Sequence, residues 1–324
     1  MATLKDIATK CNVSVSTVSR ILKNDKTLSV NDKTKELVWD AANQLDYKVK
    51  GKSTNGVKLA VVNWYSHDQE VIDPYYYYIR KGVESQCDIE GFEYDVYFKE
   101  NSLSELFNYD AIIAIGKFSS ENAEKLSKLV NGNIIFVDSN PDRVKYDSVQ
   151  VDFECMMEDI FTYVLDNHND SIGLMIGAEY IEDVKVVDPR LSSYIKQCKL
   201  NGLDEQKFFI EGDFTIESGY AMFEQLASEG RVPKTIICGN DLIAMGANKA
   251  AYKLGYTVGT DVNIVGINNI PVAKYMVPSL TTVEIPQIQM GNESVSLVKR
   301  KIIDQSTNPV TILVPTRIVS RKSC

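Results

Sequence analysis

The sequence predicts an α/β protein: a small three-helix helix-turn-helix headpiece followed by a body of two doubly wound parallel-sheet subdomains. Three observations carry that prediction. Residues 3–22 hold two short apolar stripes at helical spacing, separated by about three residues. From Val57 onward, short apolar runs alternate with amphipathic stretches over about 230 residues, the pattern of βα units on parallel sheets. Charge divides at nearly the same boundary. Residues 1–52 carry ten Lys/Arg and six Asp/Glu, a net +4; the remainder carries 25 and 38, a net −13. A basic end on an acidic body is expected where only that end meets phosphate.

Within the headpiece, Thr3 followed three residues later by Asp6 is a capping-box-like helix start. Leu4, Ile7, Ala8 and Cys11 make one apolar face, and Asn12 tolerates the turn that ends it. Ser14 caps a second helix carrying Val15, Val18, Ile21 and Leu22. Val18 and Ile21 are expected to face inward, leaving Val15, Ser16, Thr17, Ser19 and Arg20 in solvent. Two helices joined in this way form a helix-turn-helix. Small polar residues would let the second approach a groove floor, where Arg reads guanine edges. The periodicity alone fits any helical hairpin equally well. A third helix is predicted over 30–45, with Leu37, Val38, Ala41, Ala42 and Leu45 as its buried stripe. The expected domains are 1–47 (headpiece), 48–56 (linker) and 57–324 (body).

In the body, strands are predicted over 57–64, 92–98, 111–115, 134–138, 171–177, 208–211, 235–239 and 262–267. Helices are predicted over 77–89, 156–167, from 190, from 216, and over 241–254 before Gly255. In open α/β sheets ligands bind beyond the carboxyl ends of strands. Trp64, Asp73, Tyr75 and Tyr76 follow the first strand and are candidate ligand contacts; the tyrosines fit core or dimer surface as well. Asp138 and Asp152 end later strands, and Asp152 is either a ligand contact or a helix cap.

Residue order says more than periodicity. Thr3-Leu4-Lys5-Asp6-Ile7-Ala8, then Val13-Ser14-Val15-Ser16-Thr17-Val18-Ser19-Arg20-Ile21-Leu22, closely resembles the amino-terminal headpiece of the LacI/GalR family of transcription repressors. The resemblance implies operator DNA binding through Thr3, Val15, Ser16, Thr17, Ser19, Arg20 and Lys23. In that family the linker carries a hinge helix that wedges an apolar side chain into the minor groove. This chain has no Leu in that place, so Lys48, Lys50 and Lys52 are expected to act by neutralising phosphate.

The order of the body resembles the periplasmic-binding-protein-like body of the same family. There the chain crosses between subdomains three times, placed here near 170, 285 and 313. Subdomain one is then about 57–170 and 286–313, including a helix over 287–301; subdomain two is about 171–285 and 314–324. Asp73-Pro74-Tyr75-Tyr76-Tyr77-Tyr78-Ile79-Arg80 and Ile115-Gly116-Lys117-Phe118-Ser119 are similar to segments of the galactose-operon repressors of Gram-positive bacteria. A repressor controlled by a small carbohydrate effector, galactose or a related sugar, is implied. Asp188-Pro189-Arg190-Leu191-Ser192 matches the family segment with the effector-binding arginine. Arg190 would fork onto sugar hydroxyls, with Asp152 neutralising it, or else pair with Asp188 at the helix start. Phe214, in Gly212-Asp213-Phe214, would stack on the ligand. Asn240 would hydrogen-bond it while Asp241 caps the helix. Asn268 stands where the family normally has an acid.

The residues give little support to other classes. The six cysteines are scattered without a Cys-x-x-Cys, and the two histidines lie far apart, so no metal or cofactor is expected and a reducing cytoplasm fits. No apolar run approaches a membrane span, and no export signal opens the chain. Gly51-Lys52-Ser53 resembles the end of a phosphate loop, but Asp46 occupies the place of its first Gly. No dinucleotide fingerprint or nucleophile turn follows any strand, so an enzyme is not expected. A solute-binding protein, and a catabolite-control regulator with a phosphoprotein corepressor, remain as alternatives. No leucine heptad follows Thr316, which favours a homodimer over a coiled-coil tetramer.

Overall fold

The computed structural model describes residues 4–11, 13–22, 30, 31, 33–35, 37, 38, 41, 56–101, 106, 108–168 and 171–324. Two compact units emerge, the amino-terminal headpiece and the body. Among the described residues no helix is long and apolar enough to cross a membrane.

In the headpiece, α1 (Leu4–Cys11) and α2 (Val15–Leu22) meet at a tight turn. Val13 N–H donates to Ala8 O at 3.1 Å as α1 ends. Ser14 Oγ accepts from Thr17 N–H at 2.9 Å and caps α2. Residues 33–35, 37, 38 and 41 are helical. Ile7, Ala8, Cys11, Val18, Ile21, Val38 and Ala41 form the core, with Leu4, Val13 and Val30 packed at its edge. One correction applies: Leu37, expected in the buried stripe, is 51 % exposed. So few residues enclose room for a single narrow stripe, which Val38 and Ala41 fill. Thr3, Asn12, Lys23, Ala42, Leu45, Lys48, Lys50 and Lys52 lie outside the described residues.

The body holds two six-stranded sheets. The first comprises β1 (Lys58–Asn63), β2 (Glu93–Tyr97), β3 (Ala111–Ile115), β4 (Ile134–Val137), β5 (Asp147–Val151) and β13 (Thr311–Val314), in the order β2-β1-β3-β4-β5-β13. Every pairing in it is parallel. The second comprises β6 (Ile172–Gly177), β9 (Phe209–Gly212), β10 (Thr235–Cys238), β11 (Asn263–Ile267), β12 (Thr281–Glu284) and β14 (Arg317–Val319), in the order β9-β6-β10-β11-β12-β14. Only β14 runs antiparallel there. β3, β4, β6 and β10 are buried along their whole lengths, which is why they read as unbroken apolar runs.

The helices are α3 (His67–Ile72), α4 (Tyr75–Glu90), α5 (Ser120–Leu129), α6 (Phe153–His168), α7 (Pro189–Leu200), α8 (Ile216–Ser228), α9 (Asp241–Lys253) and α10 (Gln287–Ile302). A two-stranded hairpin, β7 (Glu179–Ile181) with β8 (Val184–Val186), stands apart from both sheets. The chain changes sheets between β5 and β6, between β12 and α10, and between β13 and β14. The first crossing comes earlier than position 170, because α6 belongs with the second lobe. It packs on α7 and β14. Phe161 meets Tyr194 with ring centroids 5.9 Å apart, and Tyr163 Oη lies 2.8 Å from Ser320 Oγ. α10 packs on β3, β4 and β5 of the first lobe, as expected.

Candidate functional site

Strand order places the site. The order reverses between β1 and β3 in the first sheet and between β6 and β10 in the second. At such a reversal the flanking connections leave to opposite faces, and a crevice opens beyond the carboxyl ends. Tyr65 follows β1, Lys117 follows β3, Glu179 follows β6 and Asn240 follows β10. All four line one cleft of about 630 Å³ between the lobes of the body.

On the first-lobe wall, Asp138 follows β4 with φ +80°. Its carboxylate accepts from Tyr75 Oη at 2.8 Å and Tyr76 Oη at 2.9 Å. Burial and the charge of Asp138 push both phenols well above their ordinary range, so they stay protonated donors. Asp73 Oδ1 accepts from Tyr75 N–H at 3.1 Å, and burial raises its carboxyl. Trp64 does not line the cleft, contrary to expectation. Its backbone N–H donates to Ile115 O at 2.9 Å, prolonging the β1–β3 ladder. The indole backs the wall, 5.7 Å from Lys117 Nζ and edge-on to Tyr76 at 6.0 Å. Gly116, at φ +106°, makes room for it: a Cβ there would sit 2.4 Å from Trp64 Cβ. Tyr65, one residue on, takes the lining position.

On the second-lobe wall, Arg190 is 9 % exposed. Its Nε donates to Asp188 Oδ1 at 2.9 Å, Nη2 to Asp188 Oδ2 at 2.5 Å, and Nη1 to Gly239 O at 2.6 Å. Asp188 also caps α7, accepting from Arg190 N–H at 2.8 Å. Burial pushes the Asp188 carboxyl up, but the Arg190 charge and hydrogen bonds outweigh it and hold it below its usual range. Of the two pairings expected for Arg190, the one with Asp188 at the helix start forms, and the one with Asp152 does not. Asp152 lines the cleft but caps α6, accepting from Cys155 N–H at 3.0 Å. Phe214 lies over the guanidinium, its centroid 4.7 Å from the central carbon.

Asn240, not Asp241, caps the helix, and it keeps its place in the cleft lining. Asn240 Oδ1 caps α9, accepting from Ile243 N–H at 2.9 Å. Asp241 is 1 % exposed and ties α9 to its neighbours, accepting from Thr282 Oγ1 at 2.6 Å and Ile270 N–H at 2.8 Å. Asn268 follows β11 at φ +110° and lines the cleft; its side-chain amide has no hydrogen-bond partner among the described residues. Polar contacts also cross the cleft. Asn240 Nδ2 donates to Asp73 Oδ2 at 3.3 Å, and Lys117 Nζ pairs with Glu179 Oε2. Sequence reasoning missed Tyr65, Lys117 and Glu179. The strand-end rule could have found all three, since each is the second residue beyond its strand.

In the headpiece, Val15 and Ser16 are exposed on α2, and Thr17, Ser19 and Arg20 are half-buried. Thr17, Ser19 and Arg20 are thus less open to solvent than expected.

Residues 3–49 match the family described as bacterial regulatory proteins, lacI family, and residues 162–324 match the periplasmic binding protein-like domain. Over its whole length the chain is 32 % identical to the HTH-type transcriptional regulator GalR of Streptococcus thermophilus, covering 99 % of that protein. The chain belongs to the lacI family. This lacI-family protein is also 30 % identical to the repressor MelR of Bacillus subtilis, over 100 % of the chain and 98 % of that protein. Its fold matches the transcriptional regulator CelR in complex with cellobiose, with a TM-score of 0.72, 21 % identity and full coverage of both chains. It also matches the Lac repressor dimer bound to operator and an anti-inducer, with a TM-score of 0.69, 24 % identity and 99 % and 98 % coverage. As a lacI-family member it is a DNA-binding transcriptional regulator and not an enzyme. Its headpiece removes the solute-binding alternative.

Proposed function

We propose that this regulator represses a carbohydrate operon and that an uncharged sugar, galactose or a galactoside, is its effector. The charge balance of the cleft carries the reading. Its lining holds Asp73, Asp138, Asp152, Glu154 and Glu179 against Lys117, Arg143 and Arg190, and Arg190 is already neutralised by Asp188. No surplus of positive charge awaits a phosphate or carboxylate. Tyr65, Tyr75, Tyr76, Phe118, Phe153 and Phe214 supply aromatic surface for the C–H faces of a sugar ring. The volume lies within the roughly 300–1,000 Å³ of small-molecule sites. The relatives named GalR, MelR and GanR, and the CelR–cellobiose complex, agree with a sugar ligand.

The effector acts by preferring one arrangement of the two lobes. Only that difference in affinity is available to shift DNA binding. A homodimer fits the exposed apolar side chains Val71 and Ile72 on α3 and Tyr252, Tyr275 and Val277 in the second lobe, each at least 67 % exposed.

A thermal-shift series on the full chain tests the reading, with galactose, lactose, melibiose, cellobiose, galactose 6-phosphate and glucose 6-phosphate. A neutral sugar should raise the melting temperature and change operator binding in a gel-shift assay. Stabilisation by the sugar phosphates alone would defeat the proposal.

A further inference from the structure

The β7–β8 hairpin is joined more firmly to the opposite lobe than to a core of its own. Its two short strands pair Glu179 with Val186, Tyr180 with Lys185 and Ile181 with Val184. Tyr180 and Val184 are largely exposed, and an isolated two-stranded hairpin is marginal in water. Polar contacts from the first lobe hold it. Lys117 pairs with Glu179 near the base of β7, with both side chains nearly buried at 11 % and 12 % exposure. At the tip, Glu182 Oε1 accepts from Ser119 Oγ at 3.2 Å and from Asn122 Nδ2 at 2.5 Å, the groups that open α5. Lys185 pairs with Glu211 of its own lobe.

The two anchors differ in position. Lys117 and Glu179 line the cleft, as do Ile181 and Val186; Glu182 does not. Lys117 and Glu179 also stand at the two switch points, one per lobe. An ammonium paired to a carboxylate still has N–H groups to donate and lone pairs to accept. The pair thus offers a donor and an acceptor side by side at fixed spacing, charge-neutral as a unit.

We infer that the hairpin is the specificity-determining wall of the cleft: the Lys117–Glu179 pair hydrogen-bonds two adjacent hydroxyls of the bound sugar, while Glu182 only anchors the hairpin. The inference rests on the carbohydrate reading above. One hydroxyl donates to the Glu179 carboxylate, and its neighbour accepts from the Lys117 ammonium. An epimer with one of those hydroxyls inverted leaves half of the pair unsatisfied inside a closed site, which discriminates more strongly than a missing apolar contact.

Calorimetric titration of the full-length protein tests this, using epimer pairs: galactose against glucose, and lactose against cellobiose. The readout is the affinity ratio within a pair. For Glu179→Gln the ratio should fall by roughly tenfold, the worth of one hydrogen bond to a charged group. For Glu182→Ala both members should weaken by the same factor, leaving the ratio unchanged. Lys117→Gln, read the same way, serves if Glu179→Gln does not fold. A Glu179→Gln ratio equal to wild type, or a uniform loss matching Glu182→Ala, overturns the inference and leaves the carbohydrate reading standing. Failure of the wild-type protein to bind any of the sugars defeats the carbohydrate reading itself, and this inference with it.

Discussion

Asn240 serves both lobes of the body at once: its side-chain oxygen caps α9 through Ile243 N–H at 2.9 Å, while its amide nitrogen reaches Asp73 Oδ2 across the cleft at 3.3 Å. The two bonds can be separated by substitution. Asn240→Ser keeps a capping oxygen but removes the amide, so folding stability should change by less than about 1 kcal/mol. Effector affinity should drop severalfold, because closure loses a cross-lobe bond. Urea unfolding and titration calorimetry measure the two effects. Wild-type affinity in a stable Asn240→Ser protein would show that closure does not use the bridge.

Arg190 and Asp188 form a buried pair, so removing one partner strands the other. Arg190→Ala should destabilise the body by roughly 3–5 kcal/mol. Arg190→Ala combined with Asp188→Ala should recover part of that loss. Neither protein should respond to effector, while the double variant should keep operator binding near wild type. A double variant no more stable than the single would mean that Asp188 is not left unpaired.

The buried Asp241 carboxyl predicts a pH dependence. Burial pushes it up to about 7, whereas in the unfolded chain it titrates near 4. Between those values the folded protein binds more protons than the unfolded one. This group's contribution therefore falls as pH rises from about 4 to about 7. The full span is at most roughly 4 kcal/mol. Asp241→Asn should flatten that part of the stability profile in denaturant titrations at several pH values. Parallel profiles for variant and wild type would rule out Asp241 as the source.

On the DNA side, Arg20→Ala should cost roughly 1–3 kcal/mol on operator and far less on random DNA, if Arg20 reads a base edge. Anisotropy titrations on both duplexes decide this. Equal losses would assign Arg20 to phosphate.

The linker lysines make a separate claim. Replacing Lys48, Lys50 and Lys52 together should flatten log affinity against log salt by about two to three units. An unchanged slope would keep the linker off the DNA.

Much of the architecture was legible because its causes are local. The stripe Ile7, Ala8, Cys11, Val18 and Ile21 and the buried runs of β3, β4, β6 and β10 follow from periodicity and apolar length. The elements not anticipated were those whose local signal is weak: the six-residue α3, the polar α5, and β7, β8, β12, β13 and β14 at three or four residues each. Leu37 and Trp64 were misplaced for a different reason. Leu37 had the right spacing, but Val38 and Ala41 fill the small core; Trp64 follows β1, but Gly116 leaves room for its indole behind the cleft wall.

The sequence by itself determined the longer strands, the order of the chain, the headpiece and the segments that end at the cleft, including Tyr75, Tyr76, Arg190, Phe214, Asn240 and Asn268. Tertiary structure decided which groups meet there. Lys117 and Glu179 are 62 positions apart, and Asp73 and Asn240 are 167 apart. Hydrogen bonds and ion pairs lose most of their strength over a few ångströms. Separations that small are set by how two sheets pack and where the chain crosses between them, and no local pattern of residues encodes them.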